Sequence, residues 1–90
     1  MKFLFEEGRI TLQDDSNNYR GELTYQIEDE KTMVIDHTYV LDEYRGHGYS
    51  LMLLKQAVEY AKEHQMKIVP VCSYAKEVME NKEEYHKYLK

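Results

Sequence analysis

The ninety residues carry 12 basic and 17 acidic side chains, a net charge of −5 with the four histidines neutral. A chain this short holds one core, which excludes a multi-domain enzyme, and its acidic balance disfavours binding to nucleic acid. The single cysteine, Cys72, excludes an internal disulfide and any paired-cysteine metal site, and no apolar run reaches the roughly 18 residues of a membrane span. The N-terminal MKFLFEEGRI lacks the apolar stretch of a secretory signal, so the expectation is a cytoplasmic protein with one domain over residues 1–90.

Phe3-Leu4-Phe5 and Ile10-Thr11-Leu12, divided by Glu6-Glu7-Gly8-Arg9, predict a strand, a turn and a strand. The polar block Gln13-Asp14-Asp15-Ser16-Asn17-Asn18 consists of side chains that bond their own backbone, which favours a turn. Leu23, Tyr25 and Ile27 alternate with polar residues, the period of a strand with one wet face. Thr32 to Val40 is rich in β-branched and aromatic residues and predicts a central strand. Strict alternation puts Met33, Ile35, His37 and Tyr39 on one face and Val34, Thr38 and Val40 on the other. From Ser50 to His64 the period becomes helical, with Leu51, Leu54, Val58 and Ala61 on one stripe. Lys67 to Cys72 predicts a second short strand, parallel to its predecessor across the helix, with Pro70 marking an exposed edge. The stretch from Ser73 reads as helical with a break at Asn81, and Glu83 to Tyr88 as a short helix with a solvated face. The order implies an α+β domain: a twisted mixed sheet of antiparallel hairpins and one parallel pair, with one long helix and a short C-terminal helical segment.

Arg45-Gly46-His47-Gly48-Tyr49-Ser50 stands where the fourth strand hands over to the long helix. Glycines allow a tight turn and close approach to backbone N–H groups, and a helix start presents unpaired donors at a positive dipole end, so an anion such as a pyrophosphate fits here. The bland reading is a glycine loop with Ser50 capping the helix. No Gly-Lys-Ser/Thr follows and no third glycine is present, which excludes a Walker loop and a dinucleotide fingerprint. Cys72 on composition alone is buried filler, and His37 a hydrogen-bonded strand histidine. Asp36 beside His37 suggests a Cys-His-Asp triad, but neighbours on a regular strand point to opposite faces, which argues against it. His47 and His64 read as exposed loop and helix-end residues, and no metal site is expected.

Thr38 through Leu54 resembles the acetyl-CoA-binding motif of the GCN5-related N-acetyltransferases: Arg or Gln, two residues, Gly, one residue, then Gly or Ala. Arg45, Gly48 and Ser50 hold those positions, with a serine in the last. Asp36-His37-Thr38-Tyr39-Val40 and Pro70-Val71-Cys72-Ser73-Tyr74 are similar to two signatures of a minimal subgroup of about one hundred residues, so the resemblance runs from about residue 20 onward. It implies a minimal fold of that family with a splay between the fourth strand and the strand leading to Cys72. It further implies acetyl-CoA as co-substrate, its pyrophosphate held at Arg45, Gly46, His47, Gly48, Tyr49 and Ser50, with Lys55 one turn along as a further phosphate partner. The pantetheine would lie along Thr38, Tyr39 and Val40, and the thioester near Cys72 and His37. His37 would then activate Cys72, which would accept the acetyl group or relay a proton. The partner implied is an amine acceptor, small or on a protein or peptide. The rival reading is a non-catalytic module that binds acyl-CoA or a protein.

Overall fold

The computed structural model describes residues 1–90. Five strands, β1 (Lys2–Glu6), β2 (Arg9–Gln13), β3 (Tyr19–Glu28), β4 (Thr32–Val40) and β5 (Lys67–Pro70), form one sheet in sequence order. The first three pairings are antiparallel. The last is parallel, and the helix α1 (Tyr49–Glu63) makes the crossover it requires. A second helix, α2 (Ser73–Asn81), and a 3-10 stretch at Glu83–Tyr88 complete the chain. The α+β architecture, the parallel pair and the break after Asn81 all match the sequence reading.

The core is one cluster of 16 buried residues. Ile10 and Leu12 from β2, Leu23 and Tyr25 from β3 and Met33 and Ile35 from β4 meet Leu53, Leu54, Ala57, Val58 and Ala61 of α1. The buried stripe of α1 is therefore rotated from the expected one: Leu51 is only half-buried, while Leu53 and Ala57 are fully covered. Ile27 keeps the alternation of Leu23 and Tyr25 but is 41% exposed. It borders an open recess shared with Phe5 and Tyr60 at the end of the sheet.

Regular alternation fails in β4. Thr24 pairs with His37 but Tyr25 pairs with Ile35, so Asp36 is an extra residue and the strand bulges there. Before the bulge, Met33 and Ile35 face the core; after it, Thr38 and Val40 do, opposite the buried Leu23 and Gly21. His37 and Tyr39 are thereby carried to the other face, where their rings stack 6.3 Å apart at 9°. The expected grouping of His37 with Met33 and Ile35 is corrected on this ground. Asp36 shares the outer face with His37, yet its carboxylate accepts from Thr24 Oγ1 and from Gln26 Nε2 at 3.2 Å, so no triad forms. The strand leading to Cys72 is also shorter than expected: β5 ends at Pro70, and Cys72 is the residue that opens α2.

Candidate functional site

The bulge marks the place where β4 and β5 part. Their pairing ends at Ile35 and Pro70, and the N–H groups of Val71 and Cys72 both donate to the Ile35 carbonyl, at 2.9 and 3.0 Å. Leu41 N–H bonds back to Arg20 C=O on β3 at 3.0 Å. Since strand residues alternate their hydrogen-bonding direction, the peptide groups of Thr38 and Val40 point to the opposite edge, which β5 has left. A free strand edge of this kind accepts an extended chain carrying amides. Arg45 Nε already donates to the Val40 carbonyl there, at 3.0 Å.

From the end of β4 the chain passes through a 3-10 turn at Asp42–Tyr44 into the glycine loop. Gly46 and Gly48 both have left-handed φ, 83° and 80°, and a Cβ on either would meet nothing within 4 Å. Backbone conformation rather than crowding by the protein therefore requires glycine here. The first helical bond of α1 runs from Met52 N–H to Gly48 C=O at 3.1 Å. The N–H groups of Gly46, His47, Gly48, Tyr49, Ser50 and Leu51 have no partner within the protein, and no side chain caps the helix. Ser50 lies inside the first turn and is not the cap. Six consecutive free donors at the positive end of a helix form a site for an anion with several oxygens.

These elements enclose a cleft of about 390 Å³. Thr38, Tyr39, Val40, Arg45, Gly46, Gly48, Tyr49 and Ser50 line it, as do Tyr44, Leu51 and Tyr74. The side chain of His47 lies outside, tilted against Tyr49 at 5.8 Å between ring centroids, and the exposed Lys55 does not line it either. The Arg45 guanidinium pairs with Asp42 at 3.3 Å and lies 5.8 Å from the Tyr39 ring centroid. Tyr44 forms a wall backed by Arg20, whose guanidinium carbon is 4.6 Å from the ring centroid. Arg20 is itself held by Asp14 at 2.8 Å.

Cys72 does not itself line the cleft; its Sγ donates to Oγ1 of the lining residue Thr38 at 3.6 Å. Cys72 is half-buried and meets Thr38 rather than His37, because His37 is on the opposite face of β4. The two residues expected to act as a nucleophile and its activator are not brought into contact. Tyr74, which the sequence offers either as a phenol near the site or as one of many packing tyrosines, lines the cleft. Burial raises its phenol above the usual tyrosine range.

The sequence pattern of a GCN5-related N-acetyltransferase domain matches residues 9–89. A GCN5-like chain from Staphylococcus aureus, solved by NMR, is similar at 37% identity and a TM-score of 0.81, over 99% of this chain and 87% of that one. The fold recurs at lower identity in larger proteins. An N-acetyltransferase of the family from Escherichia coli, solved with CoA, gives 20% identity and a TM-score of 0.61 over 69% of this chain and 38% of that chain. A ribosomal-protein-alanine N-acetyltransferase from Brucella melitensis gives 22% and 0.62 over 80% of this chain and 59% of that chain. By sequence and by fold, the chain belongs to the GCN5-related N-acetyltransferase family and is an acetyl-CoA-dependent acetyltransferase.

Proposed function

We propose that the chain moves the acetyl group of acetyl-CoA directly to an amine, with no acetyl-cysteine intermediate. The observation that carries the reading is the row of six unpartnered N–H groups from Gly46 to Leu51, opening onto the edge where β4 and β5 separate. The pyrophosphate lies on that row, with Arg45 beside it. The pantetheine amides bond the peptide groups of Thr38 and the N–H of Val40, whose carbonyl accepts from Arg45, and the thioester reaches Cys72 and Tyr74. The amine nitrogen bonds to the thioester carbonyl carbon, the C–S bond breaks, and two protons are handled on different sides. The amine approaches from the open outer face of the sheet and gives its proton to His37. The departing thiolate takes the proton of Tyr74, whose ring lines the cleft, and the phenolate and the His37 imidazolium then exchange protons with solvent to regain their starting forms.

Cys72 serves this reaction as a thiol. Its hydrogen-bond partner is the Thr38 hydroxyl, which is not a base and cannot draw off the proton as nucleophilic catalysis requires. Cys72 thus fixes Thr38 beside the pantetheine and is a positioning residue. The chain's charge of −5 attracts a cationic acceptor, so a primary amine on a polyamine or a lysine-containing peptide is the acceptor class.

The test combines amide NMR, intact mass and rates on such an amine panel. Acetyl-CoA shifts the amides of residues 38–51, and no acetyl adduct appears on Cys72. Tyr74→Phe and His37→Gln each lower turnover by about 10²-fold or more, while Cys72→Ser loses less than about tenfold. Shifts confined to another face overturn the cleft assignment. An acetyl adduct whose loss in Cys72→Ser abolishes turnover replaces direct transfer by a covalent route.

A further inference from the structure

We infer that β1 is a self-complementary edge through which two copies of the chain pair into one ten-stranded sheet. The two edges of the sheet are treated differently. Beyond β5 the C-terminus closes the edge: Leu89 bridges Ile68, and Lys90 N–H donates to the Ile68 carbonyl at 3.0 Å. Beyond β1 there is no further strand, and Leu4 and Phe5 are 43% and 49% exposed. An uncovered strand edge with apolar side chains is a template for another strand.

The sequence of β1, Lys2-Phe3-Leu4-Phe5-Glu6, selects the partner. Antiparallel pairing of two copies about Leu4 sets Lys2 opposite Glu6 of the second copy and Phe3 opposite Phe5, each pair occurring twice about the two-fold axis, with Leu4 opposite Leu4 once on the axis itself. The faces agree as well. Lys2, Leu4 and Glu6 pair with Gln13, Thr11 and Arg9 of β2, on the face away from α1, whereas Phe3 and Phe5 pair with the buried Leu12 and Ile10 on the helix face. Opposite charges thus meet on one face and phenyl rings on the other. A parallel arrangement would stack Lys2 on Lys2 and Glu6 on Glu6, and a two-residue slip would set a charge against Leu4, so the charges also exclude these registers. Glu6 is already bonded by Arg9 at 3.0 Å, which places its carboxylate between two cations in the pair. Phe5, at the rim of the recess it shares with Ile27 and Tyr60, is covered by Phe3 of the second copy.

The strand is short, so the pair is weak and must be measured over a concentration series on the full chain without an N-terminal tag. Sedimentation equilibrium is expected to show a monomer–dimer equilibrium. Lys2→Glu and Glu6→Lys each raise its dissociation constant by about tenfold, since each places like charges opposite one another twice. The double variant K2E/E6K restores wild-type affinity, and an equimolar mixture of the two single variants forms a heterodimer tighter than either alone. Amide spectra check that each exposed substitution leaves the fold unchanged. A monomer at every concentration overturns the inference, and so does a dimer indifferent to these exchanges, which would use another surface.

Discussion

At the scale of single residues, Asp14 links the polar turn to the cleft. Its carboxylate accepts from the N–H groups of Asn18 and Ser16 at 3.0 and 2.8 Å and from Arg20, and Arg20 in turn backs Tyr44. The bond from Asn18 N–H is the largest cause holding the Asp14 carboxyl well below the usual carboxylate range, with the Asn18 amide and Arg20 adding to it. A depressed folded-state value means the stabilisation is present above the unfolded carboxylate range, near pH 4, and is lost as pH falls below it. Asp14→Asn is therefore less stable than wild type at neutral pH, and the difference in urea midpoint shrinks steadily below about pH 4. A difference constant across that range would show that charge at Asp14 contributes nothing. The turn-forming character of Gln13–Asn18 was legible from its composition; the link from Asp14 through Arg20 to the cleft wall was not, because it joins residues that only the folded β3 brings near Tyr44.

At the scale of elements, the β3–β4 ladder decides the site. Gly21 sits opposite Val40, and a Cβ at Gly21 would lie 2.6 Å from the Tyr39 carbonyl oxygen, a backbone atom that cannot swing aside. Gly21→Ala must push β4 away from β3 where Thr38–Val40 border the cleft. We expect a loss of about 1–3 kcal/mol in urea unfolding together with weaker acetyl-CoA binding. An unchanged midpoint would mean the strands separate there at no cost. Sequence periodicity found all five strands and the main helix, because alternation and the 3.6-residue repeat are local properties. It failed at Asp36, because one extra residue in the ladder exchanges the two faces of everything after it. Alternation therefore groups His37 with Met33 and Ile35, and the ladder instead carries it to the opposite face.

At the scale of the whole molecule, a 90-residue domain has a small core and modest stability of its own, so ligand binding is visible as stabilisation. Acetyl-CoA at a hundred times its dissociation constant adds about 2.7 kcal/mol, which for a domain of this size raises Tm by on the order of 10 °C. In Gly48→Val, which forces a branched side chain into a left-handed backbone at the free N–H row, Tm no longer responds to acetyl-CoA. A retained response would place the pyrophosphate elsewhere. The family and the glycine turn at the start of the main helix were legible in the sequence alone, because Arg45, Gly46, Gly48 and Ser50 are close in the chain and their conformational demands are local. The tertiary structure decided what Cys72, His37 and Tyr74 face. Those relations depend on where β5 leaves β4 and on which side of the bulge each residue falls, and no spacing within the chain encodes a parting between strands that are more than thirty residues apart.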